Sequence, residues 1–132
     1  MASETDTFAR FLLYRRWYNA ERFTVKPDAF MPSPDGETSV FQTTDSTEGE
    51  IWQLGESNIP ETAERRICGR ADFVSAAVSK ARLQLARDAP PSLHANIVGW
   101  PPSDKLEWKR RATWLAAESS LCLLPAVTAP EE

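Results

Sequence analysis

Glycine is scarce in this 132-residue chain, with five scattered residues: Gly36, Gly49, Gly55, Gly69 and Gly99. Neither a phosphate-cradling P-loop nor a dinucleotide fingerprint can be assembled from them, which weighs sharply against nucleotide-dependent chemistry. Gly-x-Ser-x-Gly is missing as well, so no serine sits in a nucleophile elbow. Histidine occurs once, as His94, which excludes a multi-histidine metal site. Cysteine occurs twice, as Cys68 and Cys122, at no ligand spacing. A zinc site would need both thiols to converge with His94 and a carboxylate, so no metal or cofactor is expected. Each cysteine lies among apolar neighbours, Ile67 and Leu121/Leu123, which predicts small buried hydrophobes. A disulfide or a reactive thiol is the alternative.

Apolar runs long enough to span a bilayer, roughly 18 residues, are also absent. The start of the chain, Met1-Ala2-Ser3-Glu4-Thr5-Asp6, has neither the basic nor the apolar segment of a secretory signal, so a cytoplasmic location is expected. Fifteen basic residues against nineteen acidic ones give a net charge of −4. That balance argues against a protein built mainly to grip nucleic acid, although a local basic patch is compatible with it.

What the chain does have is an ordinary globular composition, 42% hydrophobic and 26% charged, at the length of one domain. It also has five tryptophans and eleven arginines against four lysines. Both residue types are enriched at interface hot spots. The plainer alternative is that the indoles fill a small core.

Residues 1–7 read as a disordered polar tail and 125–132 as another, flanking one domain over 8–124. From Phe8 to Ala20 an apolar stripe of Phe8, Phe11, Leu12 and Tyr18 predicts a first helix, with a strand through Phe11–Tyr14 as the alternative. Phe23–Val25 and Thr38–Thr44 read as short strands, paired around the proline-rich loop 31–36. Asp45 with Glu48, or Thr47 with Glu50, fits a capping box opening a short helix, which Gly55 would stop in the left-handed conformation. Ile67–Val74 alternates as a strand, and alanine-rich Ser75–Arg82 is helical. Leu83–Arg87 and Leu93–Trp100 form a hairpin across the turn Asp88–Ser92. Asp104 with Glu107 opens a final helix running to about Ser119, and Leu121–Leu124 adds an edge strand or packs as a tail. The expected fold is α+β: a mainly antiparallel sheet of four or five short strands packed by about three helices.

Functionally, the primary expectation is a non-enzymatic interaction or accessory module, acting on a protein partner or a second copy of itself. Its contact candidates are Arg15, Arg16, Trp17, Trp52, Trp100 and Trp108. The rival is a small enzyme or toxin-like catalyst around His94, Asn96 and Arg15, since a histidine titrating near neutrality can serve as a general base. Alternation sets His94 and Asn96 on one strand face, one step from the hairpin turn. Arg70 and Asp72 share a strand face too; turned inward, they would have to pair. A third class, nucleic-acid binding, draws on Arg10, Arg15, Arg16 and Arg22 among Tyr14, Trp17 and Tyr18. The order Leu12-Leu13-Tyr14-Arg15, then a Ser39-Val40-Phe41 strand, loosely resembles the order of parts in ADP-ribosyl-transferring folds. It covers only those few residues, and no carboxylate corresponds to that family's later catalytic glutamate.

Overall fold

The structure, a computed structural model, describes residues 5–62 and 65–124. Thirteen short elements follow one another. They are β1 (Thr7–Leu12), a 3-10 turn (Arg15–Trp17), β2 (Tyr18–Asn19), β3 (Thr24–Val25), a second 3-10 turn (Pro27–Phe30), β4 (Thr38–Gln42) and α1 (Glu48–Asn58). After these come β5 (Gly69–Val74), α2 (Ser75–Lys80), β6 (Gln84–Arg87), β7 (His94–Val98), α3 (Lys105–Glu118) and β8 (Ser120–Leu123). Six strands make one antiparallel sheet in the order β6-β7-β4-β1-β5-β8, while β2 and β3 form a separate ribbon. The α+β class and the three helices match expectation, but the main sheet has six strands rather than four or five. Of the expected tails 1–7 and 125–132, residues 1–4 and 125–132 lie outside the described residues, and β1 begins at Thr7.

The expected first helix is a strand. β1 lies at the middle of the sheet between β4 and β5, and apolar cover on both sides explains the misleading pattern. Phe8 and Leu12 face one core, and Ala9 and Phe11 face the other. A strand buried on both faces reads as a continuous apolar run, which period alone cannot separate from a wide helical stripe. The larger core lies under α2, α3 and the Pro27–Phe30 turn, with Phe30 stacked edge-on to Phe73. The smaller one lies under α1, where Ile51 meets Phe11, Phe41 and Ile67.

Thr47, not Asp45, caps α1. The Glu50 N–H donates to Thr47 Oγ1 at 3.2 Å, and the Thr47 N–H donates back to Glu50 Oε1 at 2.8 Å. Gly55 does not end the helix, which continues to Asn58. Its missing side chain serves packing instead, since a Cβ there would come within 2.8 Å of the Phe11 ring. The expected pairing of strand 23–25 with strand 38–44 does not form. β3 pairs with β2, whereas β4 pairs with β1 and β7. The 83–100 hairpin is present as β6 and β7, and β8 is the edge strand on β5.

That edge is tightly seated. A Cβ on Gly69 would stand 2.6 Å from the Cys122 carbonyl oxygen, an atom held in the backbone ladder. Gly69→Ala is therefore expected to destabilise the protein by about 1–3 kcal/mol, read as a lower urea midpoint. An unchanged midpoint would show that β8 yields without cost.

No helix among the described residues is long and apolar enough to cross a membrane.

Candidate active site

The β4–β7 pairing decides which side chains meet. Ser39 lies opposite Asn96, and Phe41 lies opposite His94. Ser39 and His94 are therefore diagonal neighbours on one face, within reach of each other's side chains. Ser39 Oγ is 2.5 Å from His94 Nε2. On the other side of the ring, Nδ1 is 3.1 Å from the Asp88 carbonyl oxygen and 3.4 Å from its carboxylate Oδ2. Both neighbours of Nδ1 are acceptors, so the proton sits on Nδ1 and leaves Nε2 free to accept from the serine hydroxyl.

Local structure holds this line of groups. The Asp88 N–H donates to the His94 carbonyl at 3.0 Å, closing the β6–β7 loop so that residue 88 faces residue 94. Asn96 donates from Nδ2 to Asp88 Oδ2 at 3.1 Å, fixing the carboxylate. Phe41 packs edge-on to the imidazole with centroids 5.2 Å apart. His94 is mostly covered, its side chain 14% exposed, while Ser39 is exposed.

These groups line a cleft of about 700 Å³ that also takes in Arg10, Trp17, Tyr14, Glu37 and Arg65. It opens where β1 and β4 part, because the two strands pair only at Phe8–Gln42 and Ala9–Phe41. Arg10 reaches into the gap. Its Nε donates to the Ala29 carbonyl at 2.8 Å, and its Nη1 donates to the Ser39 carbonyl at 2.9 Å. The guanidinium lies 5.0 Å over the Trp17 ring, and Tyr14 meets that indole edge-on at 4.9 Å. Burial pushes the Arg10 pKa down to about 10. A slightly larger hollow, about 780 Å³, lies along Trp100 and Trp108, but neither histidine nor cysteine lines it.

The sequence candidates fare unevenly. His94 and Asn96 come together as alternation implied. Arg15 does not join them: it is exposed on the first 3-10 turn, does not line the cleft, and Arg10 stands there instead. The cause is the strand conformation of β1, which sends residue 10 into the gap. Arg16 is exposed and covers Tyr14 at 4.4 Å. Trp17 is half-buried under Arg10. Trp100, 7% exposed, is largely a core residue whose Nε1 donates to the Ile97 carbonyl, and its remaining edge lines the larger hollow. Trp108 is half-buried and donates to the Pro101 carbonyl at 2.5 Å. Trp114, outside the expected contact set, is the exposed indole, at 42%. No local motif marks Ser39 or Asp88 as reacting groups.

Trp52 is half-buried, and Arg70 lies 4.6 Å over its ring. Arg70 does face inward. Only 2% exposed, it pairs with Asp72 at 2.8 Å and with Glu48 at 2.6 Å, under α1. The bond to Arg70 pulls the Glu48 carboxyl below its usual range, whereas burial pushes that of Asp72 up.

Cys68 and Cys122 are free and half-buried rather than buried, and Cys122 lies on the edge strand β8. Burial raises the Cys122 thiol pKa, away from reactivity. Three strands separate β8 from β7, so the two thiols and His94 do not converge. Among the described residues no group of three His, Cys, Asp or Glu is placed to hold a metal ion.

No protein-family model, curated protein or solved structure matches the chain.

Proposed function

We propose that the protein is a small enzyme that cleaves or transfers an ester group through a covalent serine intermediate. The observation that carries this reading is the chain Ser39–His94–Asp88 in an open cleft, with 2.5 Å between hydroxyl and imidazole. Ser-His-Asp sites are recognised by geometry and role rather than by order in the sequence. In this scheme Ser39 Oγ attacks the ester carbonyl carbon while His94 Nε2 takes the hydroxyl proton. The same nitrogen returns that proton to the departing alcohol oxygen. Water then attacks the seryl ester, losing a proton to His94, which passes it to Ser39 Oγ as the acid leaves, restoring the serine hydroxyl and the neutral imidazole. Asp88 orients the ring and offsets the imidazolium charge. Arg10, bonded to the Ser39 carbonyl, holds the backbone that carries the serine.

Hydrolysis of p-nitrophenyl acetate tests it. Wild-type protein should give a burst of nitrophenolate, and Ser39→Ala should lower the rate by about 10²-fold or more. Equal rates for the two proteins would contradict the proposal.

A second reading, the interaction module, draws on α3. Leu106 is 86% exposed and Trp114 is 42% exposed, and their spacing of eight puts them on one helix face with Arg110 between. A second copy of the chain is the partner we would assign to that face. Sedimentation should then show a concentration-dependent dimer, weakened about ten-fold or more in Trp114→Ser. A wild-type monomer at every concentration would rule that reading out.

A further inference from the structure

We infer that the cleft is built for a substrate carrying a second group, a carboxylate or phosphate oxyanion, bound between Arg10 and Arg65. This deepens the reading above and rests on it for Ser39 as the reacting group.

Arg10 is a guanidinium in a covered site with no ion pair to a described carboxylate. Its hydrogen bonds go to two carbonyl oxygens, and an indole ring covers it. Carbonyl dipoles and a ring face hold a cation in position without cancelling its charge. Arg65 lines the same cleft, and its buried Nε has no hydrogen-bond partner. Glu37 lines the cleft as well, without a salt bridge to either arginine, and the other two acids are engaged elsewhere. Asp88 is committed to His94 and Asn96, and Asp35 accepts from the Ser33 hydroxyl on the rim loop. Among the described residues neither guanidinium has a salt bridge, although Arg70, Arg110 and Arg111 all do.

Both arginines are half-buried, and a partly covered cation without a counter-charge is well gripped by an oxyanion facing two planar donors. The position is informative as well. Arg10 donates to the Ser39 main-chain carbonyl and lines the same cleft as Ser39, so an anion seated on it shares that cleft with the serine. Trp17 then acts as a positioning residue, holding Arg10 in place.

Calorimetric titration of the full chain with phenyl phosphate, benzoate and neutral benzyl alcohol tests this, alongside chemical-shift mapping of the His94 ring. The expected result is saturable binding of phenyl phosphate, benzoate or both, with benzyl alcohol inert and the His94 signals moving. Binding of only one ion identifies the phosphate or the carboxylate form. Arg10→Gln should weaken binding about ten-fold or more, and Arg65→Gln several-fold, while Ser39→Ala stays within about two-fold. Arg65→Gln keeps the test valid if Arg10→Gln fails to fold. Failure of both ions to bind, or binding indifferent to both arginines, overturns the inference. Ser39-dependent ester hydrolysis without ion binding would sink this inference alone, whereas ion binding to a protein with an inert Ser39 would sink only the catalytic reading.

Discussion

His94→Ala should slow acylation of Ser39 by about 10²–10⁴-fold while the circular dichroism spectrum stays that of the wild type. The imidazole is the one side chain in the cleft placed to take the serine proton, and its edge contact with Phe41 is a small part of the smaller core. Asp88→Asn should cost less, about ten-fold. Nδ1 is closer to the Asp88 carbonyl, at 3.1 Å, than to the carboxylate, at 3.4 Å, and the substitution leaves the carbonyl in place. The carboxylate is also 58% exposed, so water screens much of its effect on the imidazolium. A loss on Asp88→Asn as large as on His94→Ala would mean that the carboxylate, not the backbone, sets the ring.

Arg70→Ala should lower stability by about 3 kcal/mol, seen in urea unfolding. The loss has two sources. Trp52 loses the guanidinium under its ring, which opens a void beneath α1. Asp72, two-thirds covered, loses its counter-charge, while Glu48 is 69% exposed and simply rehydrates. Arg70→Met should cost less, about 1–2 kcal/mol, because it refills the void with an apolar chain. The native pair is itself imperfect: Arg70 Nη1 and Trp52 Nε1 are buried donors without partners. Equal losses in the two variants would make charge, not packing, the source of the effect.

How far the sequence reveals this molecule depends on the range of each interaction. Local signals were sound. The Thr47 and Asp104 caps, the β6–β7 hairpin and the alanine-rich α2 all came from neighbours within a few residues. So did the shared face of His94 and Asn96. The misreadings came from tertiary burial. β1 looked helical because two cores cover it, and Gly55 looked like a stop because nothing local announces Phe11 above it. Nor does composition say where each indole goes: Trp100 and Trp108 satisfy their N–H groups on nearby carbonyls, and Trp17 and Trp52 take guanidinium cover. The reacting serine was out of reach for the same reason. Ser39 and His94 are 55 residues apart and meet only through the β4–β7 register.

Treating the full chain with an organofluorophosphonate and mapping the adduct by mass spectrometry tests the assignment of Ser39 as nucleophile most directly. One adduct per chain is expected, on the peptide carrying Ser39. It should be missing from Ser39→Ala and form about 10²-fold or more slowly in His94→Ala. An unmodified Ser39 in folded wild-type protein, or an adduct elsewhere that ignores both substitutions, would contradict it.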